Sequence, residues 1–410
     1  MSRPLQFEDT GEHTLPVSGY QAVLAVPGVW RLLSSALLGR LPIGTASLAI
    51  LLLIREESGS FGLAGITVGA YALTSAIAAP IQGRLLDRFG PRRVLPPAAI
   101  GQAVALVAVV LTAQAGASDF AVVLAAGIAG ALVPPISATV RVLWPEIVRS
   151  PQAVESAYAL DATAQELIWT SGPLIVAAAV ALAGPATAVL ITVAVLLAGT
   201  SLFVTAPPLR SWPRHEKPDS RAGALASLAF RMLLGATLMM GVGLGTVEVG
   251  LPALAVAIDS APIAGVLLAV WSLGSMAGGI AYGARTWGSR VGLRFAALLG
   301  VNAIAILPLI LAGSLGAAIP LAVLAGIPGA AALSCLYVLV GREAPKGTMA
   351  EAFTWSLAAL ITGIAAGSAI AGQLVDSHGA GRAFALGAAS IGAAALITLL
   401  GPIRHGMAEP

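Results

Sequence analysis

Twelve runs of about 20 apolar residues, separated by short polar turns, constrain this chain more than any single motif. They cover residues 28–54, 62–83, 93–114, 119–146, 156–182, 186–208, 228–256, 262–284, 291–313, 317–340, 350–374 and 382–403. As helices, runs of that length cross roughly 30 Å of hydrocarbon. Helix is also the state that satisfies every backbone group without water, whereas an open sheet would leave its edges unpaired in lipid. The expected fold class is therefore an all-α membrane protein of twelve transmembrane helices. Composition agrees, with 58% of the residues hydrophobic and 10% charged, against about a quarter charged in soluble domains.

The same pattern removes other classes. A net charge of +3 could suggest nucleic acid, but the positive residues sit in short loops between apolar runs, without a basic face or interleaved aromatics, so no nucleic-acid partner is expected. The single cysteine, Cys335 in "ALSCLYVLV", can form no internal disulfide. A polar stretch with Glu8, Asp9, Glu12 and His13 precedes the first run, and no small-residue cleavage site follows it, so no signal peptide is expected.

Orientation follows from arginine and lysine. With the N-terminus placed inside, only Arg55 and Arg382 fall on the outer side. Arg40 and Arg141 fall within runs, and every other arginine and lysine falls inside. Both termini are thus expected in the cytoplasm of a cell whose inner membrane holds the chain. The polar stretch "PPLRSWPRHEKPDSRAG", Pro207 to Gly223, divides the runs six and six. The expected divisions are a tail at 1–27, a first bundle at 28–208, a central loop at 209–227, a second bundle at 228–403 and a tail at 404–410.

The halves repeat one another. A shift of 200 places Arg31, Leu33 and Ala36 on Arg231, Leu233 and Ala236, and Ala64-Gly65 on Ala264-Gly265. It also pairs Tyr71 with Trp271, Leu73 with Leu273, Ser75 with Ser275 and Gly83 with Gly283. Later in each half a shift of 195 pairs Gly172 with Gly367 and Gly184 with Gly379. Two six-helix bundles in the same orientation imply a pseudo-twofold axis along the membrane normal and a cavity between them.

Between the second and third runs stands "GRLLDRFGPRR", Gly83 to Arg93. It resembles the G-x-L-x-D-R-x-G-x-R-R/K loop signature of the major facilitator superfamily, and the twelve runs, central loop and repeat extend the likeness over the whole chain. The resemblance implies a loop that latches the outward-open state. On that reading Gly83 allows close helix approach, Gly90 permits the turn, and Asp87 faces the positive N-terminus of a neighbouring helix. Arg88, Arg92 and Arg93 would bond the opposite half. A topogenic anchor would explain the arginines but neither Asp87 nor the glycine spacing. The second-half counterpart "GARTWGSR" has no acid, so a one-sided latch is expected.

Charges within the runs need partners, since each costs about 2.5–3.5 kcal/mol at mid-bilayer on insertion scales. Depth matching pairs Arg40 with Glu166 and Arg141 with Asp161. Five residues separate the two acids, roughly 140° on a helix, so they face different neighbours. These pairs would serve the substrate cavity and proton coupling, or else simply orient the helices. Glu248, in "GLGTVEVGLPA", has no basic residue at its depth in the second half, which makes it a proton carrier, a binder of cationic substrate, or an acid reaching to the surface. The four histidines lie in tails or loops. Tyr71, Trp169 and Trp271 are the aromatic candidates for the cavity, suited to a flat or amphipathic solute, while Trp30, Trp144 and Trp287 read as interfacial anchors.

The Gly172-Pro173 core of "TSGPLIVAAA" resembles the G-x-x-x-G-P-x-x-G-G signature of proton-coupled drug antiporters in the superfamily. Here Ile168 stands for the leading glycine, and Val176 and Ala177 for the trailing pair. The fourth run lacks an arginine near its beginning, and the second-half loop signature of sugar importers is absent. The balance favours a monomeric secondary transporter for proton-coupled efflux of a drug-like or amphipathic solute, with a metabolite exporter or facilitator as the alternative. One proton crossing about 100 mV supplies roughly 2.3 kcal/mol, a gradient near fiftyfold. No H-E-x-x-H, nucleophile–base set or G-x-x-x-x-G-K-[ST] occurs, so neither enzyme chemistry, cofactor, metal nor ATP is expected.

Overall fold

The computed structural model describes residues 19–148, 150–212, 223–258, 264–288 and 290–401. Residues 1–18 of the expected first tail, the whole expected tail at 404–410 and most of the central loop lie outside these residues, as do Arg3, Arg149, Arg214, Lys217, Arg221 and Arg404 of the orientation argument, and His13, His215 and His405. Fifteen α-helices follow in order: α1 Gly19–Leu24, α2 Val29–Arg40, α3 Pro42–Ser58, α4 Phe61–Phe89, α5 Pro91–Gln114, α6 Asp119–Ala131, α7 Ile136–Ile147, α8 Pro151–Val204, α9 Leu228–Ala257, α10 Ala264–Gly283, α11 Val291–Ile306, α12 Leu315–Gly326, α13 Pro328–Glu343, α14 Met349–His378 and α15 Ala380–Leu400. No strand occurs among the described residues.

These helices make twelve spans. Proline breaks several runs without ending the crossing: α2 and α3 meet at Leu41-Pro42, α6 and α7 at Pro134-Pro135, and α12 and α13 at Ile327-Pro328. The 54-residue α8 holds the fifth and sixth spans, because Gly184 at φ 83° and ψ 168° reverses the chain there. Side chains of Ser60, Ser150 and Ser227 accept the amides of Leu63, Ala153 and Phe230, each at 3.2 Å, and so start α4, α8 and α9.

Packing repeats between the halves. Gly172 backs onto the Gly44 main chain, and its partner at +195, Gly367, backs onto the Val242 main chain, so spans 1 and 5 approach as closely as spans 7 and 11. Gly379, at φ 79° and ψ 171°, turns span 11 into span 12 as Gly184 turns span 5 into span 6. The molecule is two six-helix bundles, α2–α8 and α9–α15.

One apolar core joins the bundles at the end that carries Asp87, with Leu86, Trp144 and Tyr158 from the first and Phe230, Tyr337 and Phe353 from the second. At the opposite end the first bundle keeps a core of its own around Ile50, Leu53, Leu106, Val109 and Val122. Side chains such as Phe120, Leu182, Leu311 and Leu400 stand exposed, as on a surface solvated by lipid. Trp144, expected as an interfacial anchor, is instead wholly buried: Pro135 resets the direction of α7 and turns its indole into the shared core.

Candidate translocation site and gate

The candidate gate begins where two helix ends meet without side-chain bulk between them. A Cβ on Gly83 would overlap Thr354 Oγ1 and the Glu351 main chain, so α4 and α14 touch there only because residue 83 is glycine. That contact brings Asp87 to the first turn of α14. Its Oδ1 accepts the Ala350 amide and its Oδ2 the Glu351 amide, both at 2.9 Å. These amides have no partner within their own helix, so the carboxylate caps the helix across the bundle interface. Gly90 at φ 78° ends α4 and starts α5, with Trp212 packed over it. The ion pair of this loop is made by Arg84, to Glu351 at 2.9 Å. Arg88 lies over the Phe89 ring of its own helix, 5.0 Å from the centroid. Arg92 and Arg93 form no ion pair among the described residues. Arg84 adjoins Gly83, where α4 touches α14, whereas Arg88 lies one turn farther along α4.

The second-half loop region also finds an acid. The acid missing from "GARTWGSR" comes from the other bundle: Arg294 Nη2 pairs with Glu155 Oε1 at 2.7 Å. Ser156 donates to the Gly283 carbonyl at 2.8 Å, and Tyr20 on α1 donates to the carbonyls of Gly279 and Ile280 at 3.3 and 3.2 Å. Trp287 stacks on Tyr282 at 4.9 Å and donates to its carbonyl, holding the loop beside Arg294. Inspection of that loop alone could not find the acid, because it enters from α8.

Deeper, three aromatic rings seal the interface. Tyr158 of the first bundle meets Tyr337 and Phe353 of the second at centroid separations of 6.1 Å each. Above them lies the charged cluster. Arg40 Nη1 bonds Asp161 Oδ1 at 2.6 Å and Arg141 Nε bonds Asp161 Oδ2 at 2.8 Å. Arg141 Nη2 donates to the Tyr337 hydroxyl at 2.8 Å, and its guanidinium lies 3.8 Å from that ring's centroid. Arg40 therefore belongs to Asp161 and not to Glu166. Depth alone misassigns it, because a long arginine side chain reaches a neighbouring turn and the azimuth of the acid decides the partner.

Glu166 faces the other way, across to the second bundle. Ser272 donates to its Oε2 at 2.9 Å and Ser275 to its Oε1 at 2.8 Å, while Thr170 and Ser272 share a hydrogen bond at 3.1 Å. Ser275 also accepts the Ala330 amide, which fixes its hydroxyl. Glu248 has an exposed side chain on α9. Of the aromatic candidates, Trp169 is 47% exposed and Trp271 half-buried. Tyr71 is buried inside the first bundle, its hydroxyl accepting from Gln102 Nε2 at 3.1 Å, so α5 rather than the cavity surrounds it. Sequence reasoning passed over Ser272, Ser275, Tyr158, Tyr337, Glu155 and Glu351. The i, i+3 spacing of the two serines was the available signal for that pair.

The sequence profile of the Major Facilitator Superfamily matches residues 32–355. The chain belongs to the major facilitator superfamily. Among solved structures, the superfamily fold recurs in a bacterial homologue of the iron transporter ferroportin in an outward-facing state, with TM-score 0.74, 14% identity, 90% of this chain and 98% of that one. It recurs in the human organic anion transporter MFSD10, with TM-score 0.70, 17% identity, 91% of this chain and 99% of that one. The E. coli fucose:proton symporter follows with TM-score 0.69, 13% identity, 92% of this chain and 99% of that one. An uncharacterised transporter of the superfamily from Sinorhizobium fredii (strain NBRC 101917 / NGR234) is 29% identical over 167 residues, 40% of this chain and 41% of that protein's length. Its apolar spans and its family make the chain an integral, multi-pass membrane protein.

Proposed function

We propose that this chain is a proton-coupled exporter of a small amphipathic organic solute. It sits as a monomer in the inner membrane with both termini and the Asp87 end in the cytoplasm, and the bundles at 28–208 and 228–403 are its two moving bodies. Glu166 carries the reading. It is the acid held across the bundle interface at mid-span by serine hydroxyls alone, whereas Asp161 is fixed by two arginines. Among the described residues nothing of opposite charge binds Glu166, and its partners belong to the opposite bundle, so taking up or losing a proton there changes the cost of separating the bundles. Glu248, Trp169 and Trp271 line the path beside it.

Proteoliposomes with an imposed pH gradient test the proposal. The parent protein accumulates at least one member of a panel of labelled amphipathic organic solutes, anionic, neutral and cationic, against its gradient. Glu166→Gln retains exchange at equal pH but loses accumulation. Full gradient-driven accumulation by Glu166→Gln would move the proton role to Glu248, and equilibration without accumulation by the parent would favour a metabolite facilitator.

A further inference from the structure

Two guanidiniums sharing one carboxylate leave a charge behind. Arg40 and Arg141 are 1% and 3% exposed, and both bond Asp161, which is fully buried. The cluster holds one excess positive charge that no proton can remove, because arginine does not deprotonate in proteins. Glu166, five residues along α8, is turned away to Ser272 and Ser275. Donors are also left over. Arg40 Nη2 is buried without a hydrogen-bond partner, and so is the Ser137 hydroxyl, one turn along α7 from Arg141. The remaining donor, Arg141 Nη2, goes to a neutral phenol from the opposite bundle.

We propose that Arg40 and Arg141 form the binding site for the carboxylate of an aromatic organic acid, and that the Tyr337 side chain occupies part of this site while the Asp87 end is closed. The inference rests on the export reading above and names its substrate class. Tyr337 makes the contacts such a ligand would make, an oxygen on Arg141 Nη2 and a ring over the guanidinium face. A carboxylate improves on it, since charge-assisted hydrogen bonds are roughly twice as strong as neutral ones, and its second oxygen supplies the acceptor that Arg40 Nη2 lacks. When the bundles part at the Asp87 end, α13 withdraws Tyr337 and α14 withdraws Phe353, and the two donors face the inner compartment. Closure brings the phenol back and displaces the acid outward, so binding and closing compete for the same guanidinium.

The test uses full-length protein in nanodiscs with fluorescein as the probe, followed by anisotropy, and benzoate, salicylate and benzyl alcohol as competitors. Benzoate and salicylate displace fluorescein, and neutral benzyl alcohol does not. Tyr337→Phe binds several-fold more tightly, because the closed gate loses its hydroxyl. Arg40→Gln binds at least tenfold more weakly, with Arg40→Lys between. Thermal unfolding of each variant separates lost binding from lost fold, and Tyr337→Phe keeps the test open if the arginine variants do not fold. Failure of all three acids to bind both parent and Tyr337→Phe would overturn the site, as would equal binding by parent and a folded Arg40→Gln. Gradient-driven uptake of a neutral or cationic panel solute without binding of any acid would sink the anion site and leave the transport reading standing. Acid binding without gradient-driven uptake would do the reverse.

Discussion

The Glu351 amide donates to the Asp87 carboxylate at 2.9 Å while the Glu351 carboxylate takes the Arg84 guanidinium at the same distance, so one residue of the second bundle receives two charges of opposite sign from the signature loop. Backbone and side chain of Glu351 are thereby tied to the same helix end, and the tie exists only while the bundles touch.

Removing the cap should loosen this end without unfolding the protein. Asp87→Ala loses a helix cap worth about 1 kcal/mol, which shifts the equilibrium about fivefold toward the form open at this end. Asp87→Asn, keeping one acceptor, shifts it less. Spin-label distances between the bundles at this face read the change, and identical distributions in variant and parent would leave the loop a topogenic anchor.

The charged cluster makes an ordering of stabilities. Asp161→Asn strands two buried guanidiniums and should cost about 3–5 kcal/mol. Arg40→Gln leaves Arg141 and Asp161 as a neutral pair and should cost clearly less. Thermal unfolding in one detergent checks the order. Equal losses would mean that the excess charge is neutralised by a group other than Asp161.

The junction built on Glu155 and Arg294 should behave as a coupled pair. Glu155→Gln and Arg294→Gln each open the Asp87 end slightly, and the double variant opens it no further than the worse single change. A half-buried pair of this kind gives a coupling of about 1 kcal/mol in a double-mutant cycle. Additive effects, read with the same spin labels, would remove it from the gate.

The turn glycines should be intolerant where a helix glycine facing open space is not. Gly184→Ala and Gly379→Ala force a side chain into a backbone region that is essentially glycine-only, at about 1–3 kcal/mol each. Gly372, helical and with open space around it, should accept alanine with no loss and a gain of up to about 1 kcal/mol. Melting temperatures of the three variants settle the contrast.

The spans and the repeat were legible because both are matters of residue type along one chain. Lipid demands apolar runs, and Gly184 and Gly379 announce themselves by their spacing. Asp87 and Gly83 were legible through the loop signature. Partners were harder. Depth along a helix can be read from sequence but azimuth between helices cannot, so Arg40 was assigned to Glu166 and Tyr71 to the cavity. The Glu155–Arg294 pair and the Tyr158–Tyr337–Phe353 seal join segments far apart in sequence and carry no local signal, since a tyrosine at an interface looks like one in a core.

Spans 5 and 6, and likewise 11 and 12, are joined by a single glycine with no loop between their helices. A connection that short has no slack. Neither member of such a hairpin can slide lengthwise past the other, so a tilt begun at Glu166 on span 5 is delivered undiminished to span 6. Those hairpins serve as stiff levers, and the compliance of the transporter has to reside elsewhere, at the proline breaks Leu41-Pro42, Pro134-Pro135 and Ile327-Pro328.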